Sequence, residues 1–293
     1  ILAVFASGKF LAFVLLPILG AFLQGSTSIT YGVVSDLVHR DRVSRGFAAI
    51  YTVSSLSALV GPISFGFLSD YYGIDIANVQ PQEEREGGFP VLLQVHGGAW
   101  IIGEKEQQGK PLMYHMAQRG WICVAINYRL SPKAVFPDHI IDVKKAIAWI
   151  RENISEYGGN PDFIAITGGS AGGHLNSLAS LTPNRREWQP GFEDIDTTVQ
   201  AAVPIYGVYD FLDRNNIRSG MSMESMLSDK VMQCTPTEKR EAWEVASPIS
   251  HVSNEAPPMF VIQGTHDTLV WVEEARAFVS ALQAVTHEPV VYA

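Results

Sequence analysis

A serine framed by glycines is the residue whose surroundings indicate chemistry in this sequence. Ser170 lies in the motif GGSAG (168–172), which follows an apolar segment and precedes a stretch of helical character. A sharp turn from a strand into a helix exposes a serine side chain, and its crowded backbone requires small flanking residues. The N-terminus of the following helix stabilises negative charge that develops nearby. We therefore predict that Ser170 is a nucleophile.

A second glycine motif, HGGAW (96–100), ends an earlier apolar segment. Glycines let backbone N–H groups approach the oxygen of a tetrahedral intermediate, and each such donor stabilises the transition state by about 3 kcal/mol. We expect Gly97 and Gly98 to donate in this way, together with the N–H of Ala171. For Trp100 two roles stay open, which are lining the substrate pocket and packing in the core.

An orienting carboxylate is predicted at Asp267, which follows the apolar segment 259–263 and would emerge at the same sheet edge as Ser170. The alternative for Asp267 is a solvated loop residue or a helix cap. No histidine suits the position of the base between them. We expect His96 and His174 to have structural roles. The side chain of His266 should point away from Asp267, and His287 should lie at the opposite edge of the sheet. His115 and His251 have no expected role.

The segments that hold these residues alternate between short apolar strands and helices from residue 89 onward, which is typical of a parallel α/β sheet. Strands are predicted at 91–95, 122–126, 163–167, 199–205, 259–263 and 290–292. Helices are predicted at 111–119, 143–152, 171–180 and 271–284. Residues 209–247 are polar and rich in methionine, which indicates either an inserted cap over the site or a long surface excursion.

These motifs resemble those of the hormone-sensitive-lipase-like bacterial esterases, which have the α/β-hydrolase fold. The resemblance covers residues 89–293 and includes YRLSP (128–132), GGNPD (158–162), GGSAGG (168–173) and GTHDTLV (264–270). It implies a serine carboxylesterase or lipase-like hydrolase with a Ser-Asp-His mechanism, acting on short-to-medium acyl esters without a metal or an organic cofactor. Gly169 stands where many members carry Asp, which fits a subgroup.

The resemblance also implies what the sequence does not contain. The family's catalytic histidine follows the last strand, and this sequence ends within that strand. Two strands normally precede HGGAW, and a different kind of sequence takes their place here. We therefore expect an α/β-hydrolase fold that is incomplete at both ends, with an activity impaired by the missing histidine.

The first part of the sequence has a different composition. Before Asp36 the only charged residue is Lys9, and residues 47–69 contain none. Because about 20 apolar or small residues span a bilayer, we predict two transmembrane helices and membrane attachment within residues 10–70. The alternative is two buried core helices.

Within residues 1–75, the motifs YGVVSDLVHRDR (31–42) and GFLSDYYG (66–73) resemble part of a major facilitator superfamily transporter. The arginines of the intervening loop mark it as cytoplasmic. Residues 76–88 are predicted to be a linker, so residues 89–293, the hydrolase domain, would lie on the extracytoplasmic side. Joining two partial sequences in this way is typical of a fusion or of an assembly artefact.

The net charge of −9 argues against nucleic acid as a partner, because phosphate binding needs a basic surface. The expected substrate is a small-molecule or lipid ester. Three alternatives stay open: an amidase or peptidase on the same scaffold, a membrane transporter fragment, and a binding module that does no chemistry.

Overall fold

The computed structural model describes residues 86–218 and 223–293. The two predicted transmembrane helices, the transporter-like segment and residues 76–85 of the predicted linker lie outside the described residues. Within the described residues, no helix combines the length and the apolar character that crossing a bilayer requires.

The described residues form a six-stranded sheet in which every pair of neighbouring strands is parallel, in the order β2-β1-β3-β4-β5-β6. The strands are β1 (Phe89–Val95), β2 (Ile122–Ile126), β3 (Gly159–Gly169), β4 (Ala201–Ile205), β5 (Met259–Val261) and β6 (Val290–Tyr292). The predicted parallel α/β sheet is therefore confirmed. The third strand begins four residues earlier than the apolar run 163–167 indicates, because Gly159 of the GGNPD segment pairs with Phe89 of β1.

Helices follow most strands, as the alternating pattern predicts. They are α1 (Lys110–Ala117), α2 (Asp138–Asn153), α3 (Ala171–Leu181), α4 (Met223–Met226), α5 (Arg240–Ala246) and α6 (Val272–Val285), with a π-helix at Leu227–Met232. Short 3₁₀ helices occur at Ile154–Tyr157, Arg186–Trp188 and Pro248–His251. Helix α2 begins five residues before its predicted start, directly after Pro137, which is its N-cap residue.

Helix α3 is buried along its whole length. Its sequence, AGGHLNSLASL, contains mainly small residues, which allow its backbone to lie directly on its neighbours. A Cβ at Gly172 would collide with the carbonyl oxygen of Val95, and one at Gly173 would lie 2.8 Å from the Cα of Gly207. The beginning of α3 is thereby fixed between the end of β1 and the segment that follows β4.

The predicted cap region, 209–247, contributes to the packed core. Its described parts are residues 209–218 and 223–247, which contain α4, the π-helix and α5. Leu227 and Trp243 are fully buried, and the carbonyl of Val231 accepts a 2.9 Å hydrogen bond from the N–H of Phe136. This burial favours an insertion that packs against the core over a long surface excursion. A covering role over the site stays a prediction.

Lys144 on α2 is fully buried, and no carboxylate of the described residues pairs with it. Its Nζ donates to the carbonyl oxygen of Thr182 and, at 3.4 Å, to the hydroxyl of Thr197. Burial and, second, the positive charge of Arg185 lower the pKa of Lys144 to about 7.

We expect this lysine to make folding stability depend on pH. An unfolded lysine has a pKa of about 10.4, so between about pH 7 and pH 10 the unfolded chain binds a proton that folded Lys144 does not. The free energy of unfolding should therefore rise with pH over this interval. Urea denaturation at several pH values should show a smaller rise for Lys144→Met. The exposed neighbour provides the control, since Lys145→Met should keep the full rise; equal slopes in the two variants would contradict the assignment.

Candidate active site

Four chain segments meet at one edge of the sheet, because the carboxyl ends of parallel strands lie at the same edge. They are the loop 96–103 after β1, Ser170 after β3, Tyr206 after β4, and the loop 264–270 after β5. The order of the strands places Ser170 between the first loop and Tyr206. The residues that the sequence motifs single out are thus brought to one edge.

Ser170 has the backbone of a strained turn. Its φ of 57° and ψ of −121° lie in a region that costs a non-glycine residue about 1–3 kcal/mol. The conformation is held on two sides, because the Ser170 N–H donates to the Ile205 carbonyl at 3.0 Å and its own carbonyl accepts the His174 N–H at 2.9 Å. Gly168 has no room for a side chain, which would collide with the carbonyl oxygen of Val95. Such a turn from β3 into α3 can expose a serine oxygen for attack.

The loop after β1 is a tight turn with several residues in the left-handed region. Gly98 has a φ of 119°, where a Cβ would collide with the carbonyl oxygen of Ile102, and Ala99 and Trp100 have φ values of 52° and 61°. The carbonyl of Gly98 accepts hydrogen bonds from the N–H groups of Ile101 and Ile102, both at 3.0 Å. The turn is therefore closed by its own backbone.

The N–H of Gly97 is already engaged, since it donates to Oε1 of Gln108 at 2.7 Å. This geometry argues against the predicted donor role of Gly97. Among the described residues, the N–H groups of Gly98 and Ala99 have no hydrogen-bond partner. Ala171 occupies the first position of α3, where an N–H has no acceptor within the helix. The geometry therefore favours Gly98 and Ala171 of the predicted set, with Ala99 as an additional donor.

His96 stabilises the loop after β1. It is buried, its Nδ1–H donates to the Gly97 carbonyl at 2.7 Å, and its ring stacks on Tyr128 with centroids 4.3 Å apart. The hydroxyl of Tyr128 donates to the His96 carbonyl at 3.1 Å. Burial lowers the pKa of His96, so its imidazole is neutral at pH 7. These contacts agree with the predicted structural role.

Trp100 and His174 form a buried pair behind the site. Trp100 is only 2% exposed, and its Nε1–H donates to Nδ1 of His174 at 3.1 Å. The Nε2–H of His174 donates to the carbonyl of Ala246 at 2.8 Å, and burial lowers the pKa of His174 to about 3. With both nitrogens engaged, His174 is structural, as predicted. Of the two roles left open for Trp100, the geometry favours packing over lining a pocket.

Asp267 organises its own loop. Its Oδ1 accepts the N–H groups of Leu269 at 2.8 Å and Val270 at 2.9 Å, and its Oδ2 accepts Nε2 of Gln263 at 3.3 Å. The strand before it, β5, is two positions from β3 in the sheet. Strands two positions apart are separated by about 10 Å, which leaves room for one imidazole ring between a serine oxygen and a carboxylate oxygen.

No histidine of the described residues lies in that gap. Seven of the eight histidines are described, and the imidazole ring of none of them hydrogen bonds to Ser170 or Asp267. His266 instead pairs with the hydroxyl of Thr265 at 3.1 Å, which agrees with its predicted orientation away from Asp267. His287 precedes β6 and so lies at the amino edge of the sheet, as predicted.

Sequence reasoning missed three polar features of this edge. Gln108 accepts the Gly97 N–H, and Tyr206 lies next to the serine turn with a φ of 38°. Glu274 on α6 is buried, and its Oε1 accepts the N–H groups of Tyr209 at 2.6 Å and Asp210 at 2.9 Å. No motif marks these residues, because their roles depend on contacts between distant segments. A tyrosine placed directly after a predicted strand is the one signal that was visible.

The buried Glu274 is paired with Arg218, whose Nε lies 3.1 Å from its Oε2. Burial raises the pKa of Glu274, and the positive charge of Arg218 opposes that rise. Helix α6, which carries Glu274, directly follows the loop that contains Asp267. The ion pair therefore connects the segment after β4, which contains Arg218, to the segment that contains Asp267.

Comparisons with known proteins agree with this architecture. A family model described as BD-FAE matches residues 75–282. Two similar curated proteins of Mycobacterium tuberculosis bear the names Probable carboxylic ester hydrolase LipM and Esterase LipQ. LipM is 54% identical over 233 residues, which are 80% of this chain and 54% of LipM. LipQ is 52% identical over 204 residues, which are 70% of this chain and 48% of LipQ. The chain thus spans about half the length of these relatives.

Among solved structures, a thermophilic esterase from Thermogutta terrifontis, Est2 with bound butyrate, aligns with a TM-score of 0.60 and 25% identity. The alignment covers 73% of this chain and 76% of that chain. The truncated form of a carbohydrate esterase from gut microbiota aligns with a TM-score of 0.63 over 71% of this chain and 78% of its own. At 23% identity, the latter shows the fold alone.

The contact between Gly97 and the serine turn can be tested by adding one methyl group. A Cβ at Gly97 would lie 2.7 Å from the Gly169 carbonyl oxygen and 3.3 Å from the Ser170 Cβ. Gly97→Ala should therefore lower the free energy of unfolding by about 1–3 kcal/mol, measured by urea denaturation. Gly264→Ala, in the loop after β5, meets nothing within 4 Å and should change it by less than about 0.5 kcal/mol. Equal stability of the two variants would contradict the proximity of Gly97 to Ser170.

Proposed function

Because this chain belongs to the BD-FAE family and is an ester hydrolase by family, we propose that it cleaves carboxylic esters with Ser170 as the nucleophile. The observation that carries the proposal is the backbone of Ser170, held in the left-handed region between β3 and α3. Beside it, the first N–H of α3 and the N–H groups of Gly98 and Ala99, which bind no acceptor among the described residues, supply the donors that an ester oxygen would need. This combination supports acyl transfer through a tetrahedral intermediate.

In the proposed reaction, Oγ of Ser170 forms a bond to the carbonyl carbon of the ester while its proton passes to a base. The carbonyl oxygen becomes negative and accepts hydrogen bonds from the N–H groups of Gly98 and Ala171. Collapse of the intermediate breaks the bond to the alcohol oxygen, which receives the proton from the base. Water then attacks the acyl-serine in the same way and releases the acid. Asp267 is proposed to orient the base.

The base is the part of this proposal that the described residues do not supply. A serine hydrolase without its histidine loses on the order of 10⁴–10⁶ in turnover. We therefore propose that residues 86–293 hold the nucleophile, the oxyanion donors and the carboxylate, and that turnover supported by these residues alone is low. Free imidazole is a base of the same chemistry and is small enough to enter the gap between Ser170 and Asp267.

The proposed substrates are esters with short-to-medium acyl chains. The structurally similar Est2 holds butyrate, and the relatives LipM and LipQ bear the names of ester hydrolases. No feature of the described residues favours an amide substrate over an ester, so amide hydrolysis is not proposed.

The ester hydrolase proposal predicts slow hydrolysis of p-nitrophenyl butyrate that depends on Ser170 and rises with imidazole. Because imidazole alone also cleaves activated esters, Ser170→Ala at each imidazole concentration defines the background. The difference between the chain and this variant should grow with imidazole concentration. Ser155→Ala, an exposed serine at the opposite sheet edge, should behave like the unchanged chain. No difference between the chain and Ser170→Ala at any imidazole concentration would refute the proposal.

We also propose that residues 10–70 attach the chain to a membrane with the hydrolase domain on the extracytoplasmic side. The support is the uncharged segment 47–69 and the basic loop before it. The chain should stay in the membrane fraction after extraction with alkaline carbonate, whereas residues 79–293 alone should be released. Release of the whole chain would contradict the attachment.

The proposed orientation is tested separately with a reporter that is active only in the cytoplasm. Fused after Gly88, this reporter should be silent, and reporter activity would contradict the orientation.

A further inference from the structure

We propose that Tyr206 contacts the alcohol half of the ester and donates a hydrogen bond from its phenol to the alcohol oxygen. This inference rests on the proposed function and names a residue that determines which esters the site cleaves well.

The backbone of Tyr206 is part of the hydrogen-bonding frame that holds the nucleophile. Ile205, the residue before it, accepts the N–H of Ser170 at 3.0 Å, and the N–H of Tyr206 itself donates to the Ile262 carbonyl at 2.7 Å. Tyr206 therefore lies one residue from a direct contact with Ser170. Its position is fixed on one side by β3 and on the other by β5.

The phenol ring lies on the residue that precedes the nucleophile. A Cβ at Gly169 would be 2.6 Å from the Tyr206 hydroxyl oxygen and 2.7 Å from Cζ. Glycine at position 169 thus leaves the space that the ring occupies. This contact places the phenol beside Ser170 and explains why a position with no need for a left-handed backbone is still a glycine.

The hydroxyl of Tyr206 is free to bind a ligand. The side chain is 43% exposed, and no residue of 86–218 or 223–293 forms a hydrogen bond to the hydroxyl. The backbone φ of 38° is uncommon for a bulky residue. Unfavourable backbone conformations of this kind cluster at ligand-binding sites, where the surrounding structure holds them. An unpaired donor held next to a nucleophile is suited to contact the substrate.

The order of the strands indicates which half of the ester it meets. The oxyanion donors come from the loop after β1, on one side of Ser170, so the carbonyl oxygen points toward that side. Asp267 comes from the loop after β5, on the other side, and the base that it orients must protonate the leaving alcohol oxygen. Tyr206 follows β4, between β3 and β5. The phenol is therefore on the side of the alcohol oxygen.

The test compares two butyrate esters that differ only in the alcohol. Ethoxide is a poor leaving group that needs a hydrogen bond and a proton, whereas p-nitrophenolate leaves without help. Tyr206→Phe should lower kcat/KM for ethyl butyrate about tenfold, the effect of one lost hydrogen bond, and change kcat/KM for p-nitrophenyl butyrate by less than about twofold. Both rates are measured with imidazole present and corrected with Ser170→Ala.

Two further variants separate contact from structure. Gly169→Ala should displace the phenol and give the same selective loss, and adding it to Tyr206→Phe should cause little further loss, because the two changes remove one interaction. Tyr157→Phe is the control, because Tyr157 is 51% exposed and precedes β3 at the opposite sheet edge. It should leave both rates unchanged.

Equal losses with both esters would indicate a structural role for Tyr206 and overturn the inference, as would no loss with either. If the unchanged chain showed no Ser170-dependent cleavage of p-nitrophenyl butyrate with imidazole, the proposed function would fail and the inference would fall with it. The two failures are therefore distinguished by the unchanged chain alone.

Discussion

The close contact between the beginning of α3 and the end of β1 is the constraint on which the candidate site depends. Gly168 and Gly172 both lie directly against the carbonyl oxygen of Val95, where a side chain at either position would collide. This contact forces the chain to turn sharply at Ser170 and sets its left-handed backbone. It also brings the loop after β1 next to the turn. One backbone contact therefore positions both the nucleophile and the donors that would stabilise the intermediate.

Buried neutral histidines reinforce this geometry. His96 donates to the loop that it begins, and His174 links Trp100 to the carbonyl of Ala246 at the end of α5. Burial lowers the pKa of both rings, so each acts as a fixed donor and not as a base at pH 7. Two imidazole rings therefore stabilise the structure of the site. Between Ser170 and Asp267, the described residues place no imidazole ring.

Much of this arrangement could be predicted from the sequence, because it depends on local patterns. The parallel sheet follows from alternating apolar strands and helices, and the turn at Ser170 follows from its flanking glycines. The contacts of Gly97 and Tyr206 could not be predicted in the same way. Gln108 reaches Gly97 from 11 residues away, and the Tyr206 ring covers Gly169 from another strand. Such contacts depend on how strands are ordered and how loops close, which residue types and spacing do not encode directly.

The claim that Ser170 is the nucleophile is tested most directly by its reactivity toward an electrophile. The chain would be treated with a fluorophosphonate in the presence of imidazole, which supplies the base, and the adducts would be located by mass spectrometry of its peptides over time. The account predicts that Ser170 is modified faster than the exposed Ser155 and is the main site of modification. Modification of Ser170 no faster than that of Ser155 would contradict the account.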